Sequence, residues 1–290
     1  LRSLSWLGTR FNGLMNDMSE CGRGIPHTEL CRSPGDPRIW AEFNIGTVDT
    51  DGDAEASAFD GDQMFIALGI DMALSENFVL GIAGAYVEND LDFDLYDGQI
   101  DSDGWQLGLY GNYDTGTVYV KGSFSYSDLN ADSERTISIG QGLSPWHLNG
   151  TTNPVAGTIV GSPDASIWSV AGEFGYRFPV SGTATLTPYL ALDYASVDLN
   201  SFTESGVPGA NLTIDGSDDY FTGEIGLELA FEAGNIRPYI KGGYQHNFSD
   251  STADFQAAFA DAPSGTDFTV ISEDFSDGSG VIEAGLAAEL

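Results

Sequence analysis

The sequence predicts an all-β fold, a transmembrane antiparallel up-and-down β-barrel preceded by a helix. Three observations predict it. Residues alternate with a period of two, as in DGWQLGLYGNYDTGTVYVKGSFSY (103–126), where Trp105, Leu107, Leu109 and Tyr113 share one face and Gln106, Gly108, Tyr110 and Asn112 the other. Short and long connections alternate without a break. One strand face carries no charge, while the other carries charges in mid-strand, so the charged face must be wet. In a closed single-layer barrel that means apolar side chains facing lipid and charges facing the lumen.

The elements follow in order. Residues 1–20, LRSLSWLGTRFNGLMNDMSE, place Leu4, Leu7, Phe11, Leu14, Met15 and Met18 at helical spacing, and Gly22 and Gly24 stop the helix. Residues 22–37 read as a linker containing Cys31, and Cys21 closes the helical segment of 1–21. From Arg38 onward ten strands are expected, at 38–48, 60–73, 77–90, 99–113, 117–130, 165–178, 184–199, 219–232, 235–249 and 278–290. Tight connections fall at 73–77, 114–117, 179–184 and 232–235, and long polar ones at 49–59, 91–98, 131–164, 200–218 and 250–277. A Greek-key sandwich has no reason to keep that alternation.

Two aromatic belts bracket the apolar face. Trp105, Tyr126, Trp168, Phe221, Tyr244 and Phe248 lie near the long-loop ends, and Tyr113, Phe178 and Phe231 near the short turns. Rings at both membrane interfaces are expected of such a barrel.

Composition narrows the function. Ten Lys and Arg stand against 44 Asp and Glu, a formal net charge of −34. Nucleic acid is excluded as a partner, because no basic patch exists to neutralise phosphates. No run of 18 apolar residues occurs, and this leaves a β-barrel untouched. Cys21 and Cys31 read most simply as a disulfide closing a short loop in an oxidising compartment, with a reduced pair as the alternative.

The run RIWAEFNIGTVDTDGDAEASAFDGDQMFIALGIDMALSENFVLGIAGAYVENDLDF (38–93) resembles the opening of autotransporter β-domains. So do WQLGLYGNYDTGTVYVKGSFSYS (105–127), TPYLALDYASVDLNSFTESG (187–206) and RPYIKGGYQHNF (237–248). The resemblance covers residues 38–290. It implies a twelve-stranded barrel in the outer membrane of a Gram-negative bacterium, with long loops extracellular and residues 1–20 as a helix in the pore. The implied role is export of a covalently linked upstream passenger. The implied partners are outer-membrane lipid, lipopolysaccharide and the barrel-assembly machinery. Ten strands are read here, and GVIEAGLAAEL (280–290) looks like the family's tenth, so the last hairpin is expected to be missing; a complete ten-stranded barrel is the alternative.

Candidate site residues are the charges on the polar face: Lys121, Glu173, Arg177, Asp193, Glu224, Glu228, Arg237 and Lys241. They read either as a charge ladder balancing the lumen or as a cradle for the helix and a pore lining. Asp49, Asp51, Asp53 and Asp60 resemble a calcium loop, but Ala54 stands where that loop needs glycine, so a solvated loop is expected and no metal. His27, His147 and His246 are scattered, and no nucleophile elbow occurs, so neither catalysis nor a cofactor is expected. Asn12 and Asn16 read as polar filling of a wet pore, not as self-cleaving residues, and the glycosylation-like matches at Asn149, Asn211 and Asn247 as chance. A porin-like channel and a surface adhesin are the alternative functions.

Overall fold

A computed structural model of the chain describes residues 35, 37–50, 58–94, 98–139, 155–233, 236–249, 254–263, 266–271 and 278–288. The expected helix and the Cys21 and Cys31 pair lie outside the described residues, as do Asp51, Asp53, His27, His147 and Asn149.

Among the described residues fourteen strands form one antiparallel sheet: β1 Pro37–Thr50, β2 Phe59–Ser75, β3 Phe78–Phe93, β4 Gly98–Asp114, β5 Val118–Ile139, β6 Val155–Gly161, β7 Asp164–Tyr176, β8 Phe178–Pro179, β9 Ala184–Thr203, β10 Leu212–Phe231, β11 Ile236–Asn247, β12 Asp254–Phe259, β13 Phe268–Ile271 and β14 Gly278–Ala288. Ten of them are hydrogen-bonded in strict chain order, β1-β2-β3-β4-β5-β7-β9-β10-β11-β14. These are the ten expected from the alternation. Three of the other four, β6, β12 and β13, correct the expected loops, while β8 continues the strand expected at 165–178. Residues 131–139 extend β5 and pair with β6, so part of 131–164 is a hairpin. Within 250–277, β12 pairs with both β10 and β13. Within 200–218, β9 runs on to Thr203 and β10 starts at Leu212. Glycine, serine and aspartate mark these segments as loops on composition alone, but Ile137 and Ile159 bury their side chains in them and keep the strand pairing.

The tight turns show why the register holds. At 114–117 Gly116 adopts φ 83°, a left-handed conformation that favours glycine. Its N–H donates to Asp114 Oδ1 at 2.7 Å, and Thr115 N–H donates to Val118 O at 2.9 Å. Because the side-chain period is two, this pinning decides which face every following residue takes.

The sheet curves around its polar face. Trp40 Nε1 on β1 donates to Tyr110 OH on β4 at 2.7 Å. These strands are three spacings apart, about 14 Å along a flat sheet. On the convex face Leu68, Ile82, Leu107, Phe124, Leu190, Ile225 and Ile282 are exposed. The aromatic residues expected in belts are exposed on that face too, with Trp105 against Tyr126 at 5.7 Å and Phe221 against Phe248 at 5.3 Å.

Several inward aromatics lie over glycine on a neighbouring strand. A methyl group placed on Gly69 would collide with the Trp40 ring, on Gly81 with Tyr110, on Gly175 with Tyr119, and on Gly226 with Tyr189. Glycine there lets large rings lie flat on a concave wall.

Candidate functional site: the barrel lumen

The inward face divides into zones along the barrel. Nearest the short turns is an ionic network built from β4, β5, β7, β9, β10 and β11. Asp114 is the last residue of β4 and Arg177 directly follows β7. Both are buried, and Arg177 Nη1 and Nη2 donate to Asp114 Oδ1 and Oδ2, each at 2.7 Å. This bidentate, charge-assisted geometry is the strongest kind of ion pair. The Tyr119 ring lies 4.8 Å from the same guanidinium, and its hydroxyl donates to Glu173 Oε1 at 2.6 Å.

Glu173 is the hub. Lys121 Nζ on β5 donates to Glu173 Oε1 and Lys241 Nζ on β11 to Glu173 Oε2, each at 3.3 Å. Between β7 and β11 stand β9 and β10, so the Lys241 contact is a chord across the concave wall. Lys241 Nζ also sits 4.0 Å over the Tyr189 ring, whose hydroxyl donates to Glu224. Arg237 Nη2 lies 3.9 Å from Glu228 Oε1, and Tyr239 OH donates to Glu283 Oε1 at 2.5 Å.

The structure thus joins Lys121, Glu173 and Lys241 directly, links Glu224 to them through Tyr189, and pairs Glu228 with Arg237. Arg177 pairs elsewhere, with Asp114. Asp193 stands on β9 opposite Ala171 and Thr222. Sequence reasoning missed Asp114, assigning it to a turn, along with Tyr119 and Tyr189. Their strand parity was the available signal, since each shares the face of Lys121 or Glu224. A second inward cluster, also missed as a unit, joins Arg38 Nη2 to Asp71 Oδ2 at 3.0 Å, with Tyr110 OH donating to the same oxygen at 3.1 Å.

Toward the long-loop rim the lumen departs from the expected wet, charged surface. Phe65, Val87, Leu129, Ile167 and Val197 form an apolar collar, with Trp40 and Tyr220 packed against it. Phe65 and Val87 are each 1% exposed. Between collar and network Gln106 Nε2 donates to Ser125 Oγ at 3.0 Å, and Ser125 and Ser169 hydroxyls meet at 2.6 Å.

Above the collar the β5–β6 and β10–β12 extensions form a platform with its own core of Ile137, Ile159, Val207 and Ala210. Arg135 clamps it, donating from Nε to Glu204 Oε1 at 2.9 Å and from Nη2 to Oε2 at 2.7 Å. These bonds hold its guanidinium above the usual arginine range. Asp49 and Asp60, candidates for a calcium loop, stand opposite one another as a strand pair. His246 is edge-on to Phe248 at 4.7 Å at the end of β11.

Known proteins share this fold. The translocator domain of the autotransporter NalP from Neisseria meningitidis superposes with a TM-score of 0.63 at 13% identity, over 99% of this chain and 95% of that one. The transport unit of the autotransporter AIDA-I from Escherichia coli gives 0.50 at 15% identity, over 93% and 85%. At these identities the likeness concerns the fold. In sequence, YaiT of Escherichia coli strain K12 is 24% identical over 225 residues, 74% of this chain and 21% of YaiT. PmpD of Chlamydia trachomatis serovar D is 27% identical over 171 residues, 58% of this chain and 10% of PmpD. The matches therefore span about a fifth and a tenth of those relatives. The family model of the autotransporter beta-domain matches residues 39–290. An apolar convex wall, a charged concave one and a sequential meander thus carry a family signature along nearly their whole length, and the chain belongs to the autotransporter β-domain family of the bacterial outer membrane.

Proposed function

We propose that this chain is the non-enzymatic translocator of an autotransporter, supporting export of a covalently linked upstream passenger through or alongside a hydrophilic pore plugged by the helix of residues 1–20. One observation carries the reading. The strand that follows the expected helix, β1, starts at the short-turn rim: Pro37 pairs with Met72, and Gly35 N–H donates to Ala73 O at 2.8 Å. A passenger displayed beyond the long-loop rim must then connect to β1 along the lumen. Twenty helical residues reach about 30 Å, close to the thickness of a hydrocarbon core. In this reading Lys121, Glu173, Arg177, Asp193, Glu224, Glu228, Arg237 and Lys241 line the pore. The Cys21 to Cys31 disulfide tightens the linker at its mouth. The barrel-assembly machinery inserts the domain, and lipid with lipopolysaccharide surrounds it.

Among the described residues no ladder joins β1 to β14. Unpaired backbone groups in hydrocarbon cost several kcal/mol each, so an open edge there is not viable. Two further strands between β14 and β1 would complete the family's twelve. A surface adhesin is the second reading, favoured by the folded platform that Arg135 and Glu204 clamp.

The test places an epitope ahead of Leu1 in the full-length protein and probes intact cells with antibody and protease. Export predicts epitope exposed at the surface while β1–β14 resist protease. An epitope that stays periplasmic in cells with a folded barrel would overturn export and leave the adhesin reading.

A further inference from the structure

The apolar collar is out of place on an inward wall that is otherwise polar. It runs through β2, β3, β5, β7 and β9 as Phe65, Val87, Leu129, Ile167 and Val197. On β4, between Val87 and Leu129, stands Gly104, and the Leu129 side chain lies over it. A wall of ten or more strands encloses a lumen wider than its own side chains fill. Yet no residue of the collar is more than 6% exposed. Burial of that degree calls for an apolar filler on the barrel axis.

A second observation lies just below. Two residues nearer the short turn than Gly104, Gln106 is buried, and its Nε2 is spent on Ser125 Oγ. Among the described residues its Oε1 accepts no hydrogen bond. A buried acceptor without a donor is costly. The filler should therefore carry an N–H donor beside its apolar surface.

We propose that the collar is the seat of residues 1–20: Leu7 and Phe11 fill it and seal the lumen against water, and the Asn12 amide donates to Gln106 Oε1. The inference rests on the plug reading of those residues given above. Height sets the match. Phe65 is opposite Asn44, seven residues along β1 from Pro37. Tilted strand of that length climbs about 18 Å, and a helix covers the same height in about twelve residues. Counted back from Glu20, twelve residues end at Gly8, between Leu7 and Phe11 on the apolar stripe. Asn12 then falls one step lower, at the level of Gln106. A hydrophobic constriction excludes ions by staying dry, so the seal needs no charged partner on the helix.

The test uses the full-length protein in intact cells, with a photo-reactive benzoylphenylalanine in place of Phe11 or, separately, of Met18. After irradiation, Phe11 adducts are expected on the peptides carrying Phe65, Val87, Leu129, Ile167 or Val197, and Met18 adducts are not. Leu129→Asp wets the collar and should raise uptake of a small hydrophilic dye roughly tenfold. Leu129→Asn is the milder variant, and only barrels that keep the heat-modifiable gel shift are compared. Phe11 adducts at the Glu173 network, or none within the barrel, overturn the seat. Uptake indifferent to both Leu129 variants overturns the seal, as does a wild-type barrel that leaks at molar salt, where an ionic seal would be screened. Display of an upstream epitope is read separately, so misplaced adducts in cells that show it overturn this inference alone and leave export standing.

Discussion

Asp114 and Arg177 show how one pair organises the inner mouth of the barrel. Both ends are buried, so each charge depends on the other for solvation. Asp114→Asn strands the guanidinium. It should cost about 3 kcal/mol in urea unfolding of the reconstituted barrel. Asp114→Asn combined with Arg177→Met removes both charges and should recover most of that loss. If the single and double variants unfold alike, the pair carries no coupling. The alternation of β4 placed Gln106 and Asn112 inward and extends directly to Asp114, two residues on. Turn chemistry hid it, since DTG reads as a loop before it reads as a strand end. The Glu173 hub lies further from sequence: Lys121 is its ladder neighbour, but Lys241 is 68 residues away and meets it only because the wall is curved.

At the scale of elements, the outer halves of β2–β5 are held against their own charge. The row Asp62, Asp90, Asp101, Asp132 opposes like charges on adjacent strands, and such pairs destabilise a sheet. Asp101→Asn should therefore raise stability by about 0.5 kcal/mol at low salt. At molar salt the gain should vanish, because the screening length falls to about 3 Å. Thermal melting at both ionic strengths reads this, and a salt-independent difference would mean that charge is not the cause. The strand cores and their faces were legible because lipid demands an unbroken apolar side. The extensions β6, β12 and β13 were not, because beyond the membrane that demand ends and only buried residues such as Ile137 and Ile159 hold the ladder. The inner collar of Phe65, Val87 and Leu129 was hidden for the opposite reason: an apolar residue on the polar face looks like noise until its neighbours are known.

For the whole molecule, closure is decided at the seam between β1 and β14. Cysteines at Asn44 of β1 and Glu283 of β14, both on the concave face, approach closely only if those strands pair. In the full-length protein folded in membranes, oxidation should leave both thiols free if, as proposed, two further strands complete the wall between them. Efficient cross-linking would instead establish a ten-stranded closed barrel. The path β1 to β14 in chain order already excludes a Greek-key arrangement.

By itself the sequence determined the strand order, the facing of each strand and the membrane as the medium. Those follow from a local period of two and from the requirement that lipid meet no charge. Only the tertiary structure decided which inward groups touch. Curvature brings Trp40 to Tyr110 and Lys241 to Glu173, each across two intervening strands. Such contacts depend on how tightly the wall bends, and no spacing along the chain encodes that bend.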